Sequence, residues 1–176
     1  ISDAPTTQQI FGVDVEGWQP GTIKMISLNA FGYPVEKISD IPAGDYSIQA
    51  VFHIYETFHR KDGHVVKLPM DRGEGQHWNL APGNLYSAPI RIKFNPKTKI
   101  LHNVVLTKII SPIKEPEDTK YVKHIKIQSK LLTEFWGRPI FLGAHILLPE
   151  GWDTHPNVKY PLAIFHGHFP SDFGGW

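Results

Sequence analysis

The chain has 176 residues, 41% hydrophobic and 20% charged, and its 18 Lys and Arg against 17 Asp and Glu give a formal net charge of +1. That composition is ordinary for a soluble folded protein with room for one domain and a little more, and the balanced charge removes any electrostatic argument for a nucleic-acid partner. With no cysteine there are no disulfides or thiolate metal sites, and no apolar run reaches the roughly 18 residues of a membrane span, so no membrane partner is expected.

The polar opening Ile1-Ser2-Asp3-Ala4-Pro5, without an initiating Met, reads as a processed N-terminus and leads to the expectation of a secreted or periplasmic protein. Strands are predicted over residues 10–15 and 22–28. After the turn Pro42-Ala43-Gly44-Asp45, the apolar Tyr46, Ile48, Ala50, Phe52 and Ile54 alternate with Ser47, Gln49 and His53. This period of two buries one face of a sheet. Lys61-Asp62-Gly63 marks another turn, and residues 68–86, rich in Gly, Pro and polar side chains, read as a long ordered loop.

Alternation returns at Ile90, Ile92 and Phe94, then Asn95-Pro96-Lys97-Thr98 turns the chain toward predicted strands over 100–106 and 121–128. The charged stretch Lys114-Glu115-Pro116-Glu117-Asp118 reads as an exposed loop between them. Many short strands, regular turns and no helical period predict a mainly β fold, an antiparallel Ig-like β-sandwich over residues 1–133. The character changes near Glu134, beyond which strands are predicted over 140–148 and 160–166.

Several residue groups invite a functional reading. Trp78 and Tyr86, with His77, Asn79, Asp71, Arg72 and Glu74 close in sequence, could form a carbohydrate platform, since sugars stack on aromatic rings while amides and carboxylates read hydroxyls. The competing and preferred role for Trp78 is to pin the loop to the sheet by burying its ring. His53, Glu56 and His59 offer metal donors, but in a strand Glu56 points away from the two histidines. His166-x-His168 offers two more, with surface histidines the simpler interpretation. No metal or cofactor is therefore expected. Gly73-x-Gly75 is too short to cradle phosphate.

The segment from Gly137 onward carries the most specific pattern: Leu147-Leu148-Pro149-Glu150-Gly151-Trp152, then Tyr160-Pro161 leading an apolar run into His166-Gly167. It resembles the opening of serine esterases of the α/β-hydrolase superfamily, in the esterase D and feruloyl esterase-like branch. Upstream, Ile41-Pro42-Ala43-Gly44-Asp45-Tyr46, Tyr55-Glu56-Thr57-Phe58-His59-Arg60, Leu68-Pro69-Met70-Asp71 and Pro82-Gly83-Asn84-Leu85-Tyr86-Ser87 resemble a domain attached to some of these esterases. The resemblance implies that residues 134–176 are the first strands of an incomplete α/β-hydrolase domain, and that His166, Gly167, His168 and Phe169 form its oxyanion loop.

Acyl transfer builds charge on the carbonyl oxygen, and each preorganised backbone N–H aimed at it contributes about 3–4 kcal/mol. Gly167 would let the backbone approach substrate, with His168 or Phe169 donating. The nucleophile is missing: no Gly-x-Ser-x-Gly elbow occurs in the chain. Ser171 beside Asp172 does not replace it, because sequence adjacency does not make a catalytic dyad. About forty residues cannot close an α/β core, so the expected partners are the remainder of the same protein and a small or carbohydrate-linked ester substrate. The alternative is a non-catalytic Ig-like binding or accessory module, in which residues 160–166 form another sandwich strand. A metal-dependent hydrolase using His166 and His168 is a third, weaker reading.

Overall fold

A computed structural model describes residues 8–75 and 77–165. The expected mainly β, antiparallel character holds: the described residues form small antiparallel sheets with one seven-residue α-helix and a 3-10 turn at Ile38–Asp40. The chain divides into two units. One comprises Ile1–Phe52, His77–Leu80 and Asn84–Ile110, the other His53–Gln76, Ala81–Gly83 and Ser111–Trp176.

In the first unit, β1 (Ile10–Gly12) pairs with β2 (Phe31–Tyr33), and β3 (Gly44–Ile48) pairs with a strand formed by Ile90–Phe94. The alternation predicted through residue 54 is interrupted after Ile48, where β4 (Val51–Phe52) changes partner to a strand at Leu85–Ser87. Ser87 fastens the exchange. Its backbone N–H donates to Ala50 O at 2.9 Å, its Oγ accepts from Ala50 N at 3.0 Å, and its carbonyl accepts from Gln49 Nε2 at 2.7 Å. The N–H, carbonyl and Oγ of the buried Ser87 are thus all hydrogen-bonded, as is usual for buried polar groups.

The second unit begins with a hairpin of β5 (Glu56–His59) and β6 (Val65–Leu68). Its turn uses Gly63 at φ 86°, whose N–H donates to Arg60 O, and Asp62, whose carboxylate accepts from His64 N. The chain then contributes β7 (Leu85–Ser87), β8 (Ile90–Phe94) and β9 (Leu106–Ile109) to the first unit, where β9 pairs with β7 to complete a three-stranded sheet. It returns with β10 (Val122–Gln128), α1 (Lys130–Trp136) and β11 (Phe141–Leu147).

Strands β10 and β11 pair antiparallel from Val122↔Leu147 to Gln128↔Phe141, with α1 in their connection. Ser129 caps α1 by accepting from Leu132 N at 3.3 Å, and Gly137 ends it at φ 66° in the left-handed region. No helix was expected here, because seven residues are too few to display a helical period, although a Ser cap and a terminating Gly bracket the segment. Phe58 of β5, 5% exposed, packs edge-to-face on Trp136 at 5.5 Å and is the main buried side chain of this unit.

Three predicted strands are corrected. Residues 22–28 and 100–105 are not strands, and residues 160–165 are neither strand nor buried. All three carry apolar β-formers, but a strand exists only through a neighbour's ladder, and none of these segments finds one among the described residues. Leu162, Ile164 and Phe165 are instead 84%, 80% and 83% exposed.

Candidate functional site

Of the expected oxyanion-loop residues, His166, Gly167, His168 and Phe169 all lie outside the described residues, as do Ser171 and Asp172. Tyr160-Pro161-Leu162-Ala163-Ile164-Phe165, which leads into them, presents its apolar side chains to solvent.

Trp78 and Tyr86 are both half-buried in the first unit. Asn84 organises the turn between them: it is 1% exposed, its Nδ2 donates to Trp78 O at 2.9 Å and its own carbonyl accepts from Ile110 N at 2.9 Å. Tyr86 sits in β7 with the Lys108 ammonium 5.8 Å from its ring centre. Of the polar residues that would accompany a sugar platform, Asp71, Arg72 and Glu74 have local partners of their own. In the second unit, Asp71 Oδ1 accepts from Gly73 N at 2.8 Å, and the buried Glu74 accepts from Arg72 N at 2.7 Å. The Arg72 guanidinium donates to Pro82 O and to Glu56.

Glu56 is the centre of the most developed polar cluster. Its two carboxylate oxygens accept from two guanidiniums, Oε1 from Arg72 and Oε2 from Arg138 at 2.6 Å. Arg138 lies 5.0 Å over the Phe58 ring, and Arg60 stacks 4.8 Å over Phe135 while pairing with Asp62. These are structural clamps between β5 and the segment around α1. They also answer the question of His53, Glu56 and His59: Glu56 is consumed by arginines. His53 is held below its ordinary pKa by partial burial, which the Glu74 charge only partly offsets.

A second cluster lies on β10 and β11 and was not singled out by sequence. His124 is directly opposite His145, and the ring centres are 4.6 Å apart. Asp118 accepts from the His124 backbone N–H at 2.9 Å and lies 3.2 Å from its Nδ1. That backbone hydrogen bond is the main reason the Asp118 carboxyl falls below its ordinary value. Only the register of a folded hairpin could reveal this pair.

The other face of the same ribbon is largely apolar and partly exposed. Ile125 faces Ala144, Ile127 faces Leu142, and Ile146 lies opposite Lys123; Ile127 and Leu142 are more than half exposed. Among the described residues no group of three or more His, Cys, Asp or Glu is placed to hold a metal, and no helix is long and apolar enough to cross a membrane. Comparisons with protein-family models, curated proteins and solved structures return no match.

Proposed function

We propose that this chain supplies the accessory Ig-like β-domain and the opening strands of a secreted or periplasmic serine carboxylic-ester hydrolase of α/β type. In this reading His166, Gly167, His168 and Phe169 form the oxyanion loop, and the nucleophile comes from the remainder of the same protein. The observation that carries the reading is the partly exposed apolar face of β10 and β11, formed by Ile125, Ile127, Leu142, Ala144 and Ile146; in this reading β10, which precedes the boundary expected at residue 134, belongs with the hydrolase strands. A two-stranded ribbon is not independently stable in water, and covering these side chains is worth roughly 3–6 kcal/mol. The exposed run Leu162-Ala163-Ile164-Phe165 calls for the same kind of cover. In an α/β-hydrolase, further strands and helices supply it.

Chemically the chain's part would be electrostatic. Backbone N–H groups after Gly167 would stabilise the oxyanion, while a downstream serine, histidine and acid perform acyl transfer. The test is hydrolysis of a short activated ester by the 176-residue chain and by the protein encoded by the complete reading frame. The chain alone is expected to be inactive and the complete protein active, with Gly167→Val in the latter lowering kcat by about 100–1,000-fold. Turnover by the chain alone, or an inactive complete protein that instead binds polysaccharide, would reject the reading in favour of a different catalyst or of a binding module.

A further inference from the structure

The register of β10 and β11 places two imidazoles at a separation that suits a shared cation. His124 and His145 are direct cross-strand partners on one face, with ring centres 4.6 Å apart and planes at 86°. A first-row divalent metal holds an imidazole nitrogen at about 2.0–2.1 Å, which puts the ring centre about 3.2 Å from the metal when it lies in the ring plane. Two such rings at bond angles of about 90–110° have centres about 4.5–5.2 Å apart, and the observed spacing falls within that interval. With the His124 ring kept on Asp118, rotation of the His145 ring about χ2, a broad torsion for histidine, can turn one of its nitrogens toward the common point.

The surroundings favour the same assignment. Asp118 lies 3.2 Å from His124 Nδ1, so its carboxylate can hold that nitrogen protonated and leave Nε2 as the ligating atom. This carboxylate–histidine pairing is the usual outer partner of a metal-bound imidazole. The one cationic side chain on the same face of the ribbon among the described residues, Lys126, is paired with Glu115 at 3.1 Å, which reduces its repulsion of a cation. Lys123 also contacts Asp118, at 3.6 Å, and tempers its charge.

We infer that His124 and His145 form a cross-strand bis-imidazole site for a borderline divalent cation, of which Zn²⁺, Ni²⁺ and Cu²⁺ are the suited class, with Asp118 as the positioning residue behind His124. Two protein ligands leave the rest of the shell to water, and imidazole donors select these ions over Mg²⁺ and Ca²⁺. The site is independent of the ester-hydrolase reading.

Calorimetric titration of the full chain with ZnCl₂ at neutral pH is expected to show one saturable site. His124→Gln and His145→Gln each weaken it by about tenfold or more, Asp118→Asn by about tenfold, and His155→Gln leaves it unchanged. Acidification should weaken binding, because imidazole must be neutral to ligate. Since a variant could fail to fold, each is checked by circular dichroism, and a second measurement needs no variant: trace Cu²⁺ should broaden the ring resonances of His124 and His145 before those of other histidines. The inference is overturned by absence of saturable zinc uptake below about 1 mM. It is equally overturned if folded His124→Gln binds as the wild type, if substituting His166 or His168 abolishes uptake instead, or if copper broadens other rings first.

Discussion

Asn84 does at the scale of one side chain what a longer segment would otherwise need. Being almost fully buried, it satisfies the Trp78 carbonyl through its amide, and its own carbonyl receives the Ile110 N–H. Asn84→Ala strips the partner from a carbonyl that has little access to water, so urea unfolding should show a loss of about 1–3 kcal/mol. His53 makes a pH-dependent contribution whose sign is fixed. Burial lowers its folded pKa below the ordinary 6.5, so the folded state resists protonation. Its stabilising contribution is complete above 6.5 and is lost as the pH falls through the folded value. Melting temperature measured from pH 8 downward should therefore show a decline beginning near 6.5 that His53→Gln flattens.

Elements succeed or fail here according to whether they find a neighbour. The alternation at Ile90, Ile92 and Phe94 reads directly as β8, and residues 121–128 and 140–148 read as β10 and β11 to within a residue or two. Residues 22–28 have the same kind of apolar content and, among the described residues, no partner strand, which composition cannot disclose. The three-residue β2 and β7 were too short to alternate. Helix α1 left signals only at its two ends, Ser129 and Gly137.

Those ends can be tested. Ser129→Ala should cost about 1 kcal/mol through loss of the cap. Gly137→Ala should cost about 1–2 kcal/mol or more, because a left-handed backbone disfavours a side chain. The added Cβ would also meet His59 O at 3.0 Å. The partly exposed apolar face of the ribbon gives a sharper contrast. Leu142→Asp is expected to change the stability of the 176-residue chain by less than about 0.5 kcal/mol, as at an exposed site. If the proposed remainder of the protein covers that face, the same substitution in the longer protein should cost about 2–4 kcal/mol. Equal effects in the two would mean that nothing covers the face.

For the whole molecule, the mainly β character was legible because period-two alternation and turn residues are local properties. The polar clusters were not legible, because they are made by register and return of the chain. Glu56 meets Arg138 only when β5 packs beside the end of α1, and His124 meets His145 only when β10 and β11 pair. The tail is the reverse case: His166-Gly167-His168-Phe169 stands out in sequence, yet it lies outside the described residues. The role proposed for it in ester hydrolysis rests on resemblance and on the apolar surface that precedes it. A fluorophosphonate reagent, which modifies only an activated serine, followed by peptide mapping of the complete protein, addresses that role. A single modified serine outside residues 1–176, with none in the isolated chain, is the expected outcome; modification of Ser171, or an unmodified complete protein, would show that the chain is not the opening part of a serine esterase.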